Sequence, residues 1–178
     1  PIKLRNGPCE DKNCIYPEVC PTLPVDHKVQ MELLRKLRKI EGVKKVFIGS
    51  GLRYDLILSD QEHGQEYLKD LVKHHISGQL KVAPEHTSPE VLDRMRKPDT
   101  TKLLTFKKQF ESLDENTRQK QFLSYYLIAA YPGCTLGDMH ALKRFASKEL
   151  GVLPDQVQVF TPTPSTYASV MYYTEKDP

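Results

Sequence analysis

The stretch Gln79-Leu-Lys-Val-Ala-Pro-Glu-His-Thr-Ser-Pro-Glu-Val-Leu-Asp-Arg-Met-Arg-Lys-Pro98 sets the pattern for the whole chain. Leu80 and Val82 alternate with polar neighbours, which predicts a strand with one apolar face. Pro84 offers a sheet no backbone N–H and is expected to end that strand. Ser88 stands where a helix N-cap belongs, with Pro89 in the first turn and Glu90 near the positive end of the helix dipole. Val91, Leu92 and Met95 give the helix an apolar stripe. The order is therefore strand, polar turn, helix, and the turn carries Glu85, His86 and Thr87. In α/β proteins, turns at the carboxyl ends of parallel strands are where ligands bind.

Working outward, the same alternation recurs. Upstream, Asp26 is expected to cap a helix to about Ile40, with Val29, Leu33, Leu34, Leu37 and Ile40 as its buried stripe and Gly42 as its stop. Val43 to Ser50 reads as a strand whose Val46-Phe47-Ile48 run suits cover on both faces. Tyr67, Leu68, Leu71, Val72 and His75 predict a helix over 60–75. Downstream, Leu103 to Leu113 is amphipathic, and Asp114 to Lys120 is a charged break. Phe122 to Tyr131 is the most strand-like stretch, closed by Pro132-Gly133. Thr135 is placed to cap a helix from Leu136 to Leu150, stopped by Gly151. Gln156 to Thr161 reads as a last strand, and the tail from Tyr167 to Pro178 has no clear period. Strands alternating with helices predict an α/β fold with a mostly parallel sheet. Four strands are too few for a closed barrel, so an open curved sheet and a fragment of a barrel both fit.

A chain of 178 residues, 28% charged and 39% hydrophobic, suits one folded body rather than a disordered segment. The net charge of +3 gives no support for a nucleic-acid partner. No apolar run reaches the length of a membrane span, and no signal-peptide pattern opens the chain, so a cytoplasmic location and no membrane partner are expected. Residues 1–26 are rich in proline and cysteine without hydrophobic period, and form an irregular segment distinct from the body over 27–178. Cys9, Cys14 and Cys20 crowd into that segment, with His27 just beyond. Thiolates so spaced could hold zinc or an iron–sulfur cluster, and such a metal would order a segment that has no core of its own. Cys134 reads as a turn residue.

All four expected strands end in polar or proline-glycine turns. A parallel sheet would gather those turns, with Arg53, Asp55, Glu85, His86, Tyr131 and Thr161, on one edge. There Arg53 could grip a carboxylate bidentately and Glu85 could accept from a ribose hydroxyl. No Ser-His-Asp spacing, phosphate loop or dinucleotide fingerprint is present, and no catalytic residue stands out.

Four blocks together resemble the radical SAM family, and most closely its uncharacterised YgiQ-type branch. They are Ser50-Gly-Leu-Arg-Tyr-Asp55, Leu80-Lys-Val-Ala-Pro-Glu-His-Thr87 with Glu90 to Met95, Tyr126-Leu-Ile-Ala-Ala-Tyr-Pro-Gly133, and Gln156-Val-Gln-Val-Phe-Thr-Pro-Thr-Pro164 with Ala168 and Met171-Tyr172. The resemblance implies a partial (β/α)6 TIM-like barrel that uses a [4Fe–4S] cluster and S-adenosylmethionine to generate a 5′-deoxyadenosyl radical. The substrate is unknown, and a reductant such as flavodoxin or ferredoxin serves as partner. It implies a ribose contact at Glu85 and His86, adenine packing along Ile128 to Gly133 (Ile128, Tyr131, Pro132 and Gly133), adenine-facing backbone at Phe160 and Thr161, and Arg53 at the cavity. The family's Cys-x3-Cys-x2-Cys cluster loop is missing. Cys9, Cys14 and Cys20 resemble instead a second cysteine group of this branch, a candidate zinc or second-cluster site. The chain is thus expected to be the C-terminal part of such a domain, with cluster ligands outside it and no activity alone. The competing expectation is a zinc-stapled α/β module that binds another molecule, RNA being the candidate.

Overall fold

The computed structural model describes residue 9 and residues 13–114, 120–154 and 157–177. Their elements are α1 (Lys28–Leu37), α2 (Tyr54–Ser59), α3 (Gly64–His74), β1 (Gln79–Glu85), α4 (Pro89–Arg94), α5 (Thr100–Asp114), β2 (Phe122–Ala129), α6 (Leu136–Phe145), β3 (Gln158–Val159) and α7 (Tyr167–Thr174). The sheet is three-stranded, in the order β1-β2-β3. Both pairings are parallel, with Leu80 opposite Leu123 and Ala129 opposite Val159. It is open rather than closed, as expected of an α/β barrel fragment.

Alternation gives the two sheet faces different fates. Leu80 and Val82 on β1 and Leu123 on β2 are buried against Tyr54, Ile57, Tyr67, Leu68, Leu71, Leu103, Phe106 and Phe110 from α2, α3 and α5. On the opposite face Gln79, Lys81, Phe122 and Tyr126 stay exposed and border an open hollow of about 1000 Å³. Among the described residues, helices therefore cover one side of the sheet only.

The expected strand over Val43 to Ser50 does not form. Its place beside β1 is taken by one parallel bridge, Leu52 to Val82. The backbone of this segment bonds elsewhere: Ile48 N–H donates to His75 O at 3.0 Å, and the buried His75 ring donates from Nδ1 to Val46 O at 2.7 Å. Val46 and Ile48 are half-buried while Phe47 is exposed, so the run is covered on one face rather than two. Pro84 does not end β1 either. The strand continues to Glu85 through a register irregularity between Val82 and Glu85, a setting in which a ladder tolerates proline. The last strand shrinks to Gln158–Val159, and Gln156 lies outside the described residues.

The helices also differ in detail. α1 buries Met31 and Leu34, whereas Val29, Leu33 and Ile40 of the expected stripe are exposed. Arg35 ties it to α3, reaching Glu66 at 2.9 Å and Asp70 at 3.2 Å. The helix expected over 60–75 is preceded by the short α2, and Asp60 lies at the corner between α2 and α3. Thr135 caps α6 in a reciprocal capping box with Asp138. Beyond Phe145 the expected helix continues only as a π-helical turn, Ala146–Leu150, before Gly151 at φ +70°. The tail forms α7, capped by Thr166.

Candidate functional site

The carboxyl ends of β1, β2 and β3 share one edge, and the backbone is strained there. Glu85 ends β1 at φ +66°, Ala130 follows β2 at φ +56°, and Ser165 follows β3 at φ +63°. Side chains with a Cβ rarely adopt this region, and such residues concentrate where function fixes the backbone.

Glu85 is half-buried and its Oε1 lies 2.7 Å from Lys97 Nζ, a partner supplied by the segment after α4. A carboxylate so held keeps further acceptor positions. Arg53 precedes α2, and its fork is closed on Asp55, with Nε and Nη2 donating to Oδ1 at 2.8 Å and Oδ2 at 2.5 Å. The expected grip on a ligand carboxylate is thus made within the chain. The hydrogen bonds that Arg53 donates to Asp55 raise its pKa above the usual value, and Glu85 adds to this.

His86 is fully buried. Its Nδ1 accepts from the Ser88 N–H at 3.0 Å, so in the neutral ring the proton sits on Nε2. That nitrogen faces Cys134 Sγ at 3.6 Å. Burial lowers the His86 pKa and raises that of Cys134, which keeps both neutral near pH 7. Cys134 is therefore more than a turn residue, since it joins the turn after β2 to the turn after β1. Ser88 caps no helix by its side chain; its hydroxyl donates to Asp138 Oδ1 at 2.6 Å. The Ser88 and Thr135 hydroxyls and the Thr135 amide hold the Asp138 carboxyl down at about 2.

Tyr131 packs edge-on against Phe160 with ring centroids 5.3 Å apart, and Phe160 meets Tyr172 of α7 at 5.9 Å. Phe160 N–H donates to Ala129 O at 2.9 Å, which holds the two strand ends together. Ile128 pairs with Gln158, and Thr161 Oγ1 donates to Val159 O at 3.4 Å. Pro132 is half-buried. Gly133 takes φ +76°, and a Cβ there would lie 2.9 Å from the Arg94 guanidinium, which donates from Nη1 to Gly133 O at 3.3 Å. Gly133→Ala is expected to lower stability by about 1–2 kcal/mol from the left-handed backbone alone. Arg94 is flexible enough to swing aside, losing its bond to the turn. A drop in urea midpoint with an unchanged slope checks this.

Glu85, His86, Tyr131, Gly133 and Phe160 thus meet at one edge, with Arg53 beside β1. Charge on Glu85 acts on both Arg53 and Tyr131. Lys97, Arg94, Asp138 and Tyr172 belong to the same edge, and none of them is assigned a role in the site from the sequence.

The cysteine segment is built differently. Cys20 N–H donates to Cys14 O at 2.9 Å, and Cys20 Sγ lies 3.4 Å from Thr22 Oγ1. Tyr16 OH donates to Asp93, and Arg96 lies 5.6 Å over the Tyr16 ring, tying the segment to α4. Among the described residues, no three cysteine, histidine or acidic donors that include Cys9, Cys14 or Cys20 lie within 4.8 Å of one another. His27 bonds Asp60 through Nδ1 at 2.8 Å.

An open parallel α/β sheet with a strand-end site is the class that this geometry defines. No family model matches the chain. It is 57% identical over 176 residues to a UPF0313 protein of Fusobacterium nucleatum, covering 99% of this chain and 31% of that protein. It is 46% identical to a UPF0313 protein of Clostridium perfringens, covering 99% of this chain and 26% of that protein. It is 45% identical to one of Methanosarcina acetivorans, covering 98% and 23%. The chain therefore spans between about a quarter and a third of the length of these relatives.

Proposed function

We propose that the chain is part of a larger radical SAM enzyme and supplies the wall of its site that receives the adenosine of S-adenosylmethionine. The observation that carries this reading is the convergence of Glu85, Tyr131, Gly133 and Phe160 at the carboxyl ends of three parallel strands, with the backbone strained at Glu85 and Ala130. The donor set fits a nucleoside. Glu85 retains acceptor capacity for ribose hydroxyls beyond its Lys97 contact. The Tyr131 and Phe160 rings and Ile128 offer apolar surface to a purine. Arg94 fixes the turn at Gly133, and the neutral His86–Cys134 contact ties two turns of the wall together.

When bound to S-adenosylmethionine, a [4Fe–4S] cluster supplies the electron that generates a 5′-deoxyadenosyl radical. The ligands of that cluster lie outside this chain, which has no Cys-x3-Cys-x2-Cys loop. This chain's share is to bind and orient the nucleoside. The reductant would be a flavodoxin or ferredoxin, and the location cytoplasmic. Among the described residues no helix is long and apolar enough to cross a membrane.

In a longer protein that includes the cluster loop, Glu85→Ala is expected to weaken S-adenosylmethionine binding about 10- to 100-fold, as loss of a charge-assisted hydrogen bond predicts. Equilibrium dialysis with the labelled cofactor measures it. Binding unchanged in Glu85→Ala would remove the ribose role.

A further inference from the structure

We infer that the outer side of α1 and the outer edge of the 43–50 segment form one docking surface. Its occupant is a parallel β-strand with an adjoining helix, supplied by the part of the larger protein outside this chain.

The first observation is that α1 is apolar on two opposite sides. At about 100° per residue, Met31 and Leu34 share one side and Val29 and Leu33 the other. Ile40, in the turn that continues the helix, falls in line with Val29 and Leu33. Met31 and Leu34 are buried, whereas Val29, Leu33 and Ile40 are 73%, 54% and 53% exposed. A single apolar stripe seats a helix on one body, and a second stripe opposite it suits a helix packed between two. The inner side of α1 faces α3, where Arg35 and Arg38 reach Asp70 at 3.2 and 3.5 Å. The outer side looks to the next place in the helix layer, and among the described residues nothing fills that place.

The second observation comes from the backbone. Leu52 N–H donates to Lys81 O at 2.9 Å and Ala83 N–H donates to Leu52 O at 3.4 Å, the bond pair of a parallel ladder with β1. Ile48 N–H turns to the same side, toward His75 O. By alternation the amides of Phe47 and Gly49 face the other edge, and they donate to no backbone carbonyl among the described residues. Val46 and Ile48 pack on the core while Phe47 is 48% exposed. An apolar extended segment with an open edge is a template for another strand.

The two features specify one occupant. The described strand pairings are all parallel, and parallel strands are joined by crossover helices. A further strand and its helix therefore arrive together, the strand at the edge of 43–50 and the helix against the outer side of α1. The source is available, since the chain covers only 31%, 26% and 23% of three relatives and most of each lies outside it. Docking would give 43–50 the neighbour it needs to become a regular strand. The inference rests on the length of the relatives and not on the S-adenosylmethionine reading.

The test is hydrogen exchange, read by mass spectrometry, on the full-length protein that contains this chain, as a monomer by light scattering. The amides of 43–50 should exchange at least about a hundredfold more slowly than those of an unstructured peptide. Leu33→Gln keeps a good helix former at an exposed-looking position. It should nevertheless lower the melting temperature by at least about 2 °C and speed exchange over 43–50. The proposal fails if 43–50 exchanges at the unstructured rate in the native protein, or if Leu33→Gln changes neither quantity. Protection that appears only in a dimer would assign the surface to a second copy and would overturn it as well.

Discussion

Asp60→Ala is expected to destabilise the fold by about 3–5 kcal/mol, the range for removing a buried charged hub from its partners. Asp60 is buried and accepts four hydrogen bonds, two from His27 and one each from the amides of Glu62 and His63. Its loss would strand the amides before α3 and release the start of α1 together. Burial by itself would raise the Asp60 pKa, but the amide and imidazole bonds outweigh burial and leave it below the usual carboxylate value. A depressed folded-state pKa contributes stability that is present above the unfolded pKa and lost as pH falls through the folded one. The Asp60→Ala chain should therefore lose less stability on acidification than the parent. Urea denaturation at neutral pH and again below pH 4 reads both effects, and an equal acid loss in the two chains would contradict the assignment.

Gly64→Ala should also be strongly destabilising, although alanine is the better helix former by about 1 kcal/mol. A Cβ at Gly64 would stand 2.2 Å from Ile57 O and 3.2 Å from Asp60 Cβ. The first neighbour is backbone and cannot turn aside as a side chain can. Separating α2 from α3 would disturb Ile57 and Leu68, both in the core. A loss of about 2–3 kcal/mol is expected from overpacking of this kind. A raised melting temperature in Gly64→Ala would show that the corner is looser than described.

Both predictions fall on a corner with little sequence signal, and the reason is physical. The strand, turn and helix over Gln79–Pro98 were legible because alternation, Ser88-Pro89 and an apolar stripe are local properties. Parallel pairing of β1 with β2 followed from the order of elements. The expected strand over 43–50 failed because a strand needs a neighbour, and this segment's hydrogen bonds go to His75 instead. α1 forms where the apolar period places it, but it buries Met31 and Leu34 and leaves Val29, Leu33 and Ile40 exposed, with Arg35 paired to Glu66 and Asp70 on α3. α7 escaped notice because only Met171 is buried along it, so no period marks it.

The site shows the same division. Glu85 and His86 could be placed at a strand end from the chain alone, since turn position is local. Lys97 against Glu85 and Cys134 against His86 are pairings across the fold, separated by 12 and 48 positions, and no short-range pattern announces them. Asp26, Asp60 and His63 are a third such gathering. Of these, Asp26 carries a local signal as a helix cap, and its neighbour His27 bonds Asp60 across the fold.

The central claim is that the strand ends receive S-adenosylmethionine in a larger enzyme. Its most direct test is to express a longer protein that contains a Cys-x3-Cys-x2-Cys loop together with this chain, reconstitute it anaerobically with iron and sulfide, and add dithionite and S-adenosylmethionine. The account predicts that 5′-deoxyadenosine forms, and that Glu85→Ala slows its formation at sub-saturating cofactor. A reconstituted protein that carries its cluster yet yields no 5′-deoxyadenosine under reduction would contradict it.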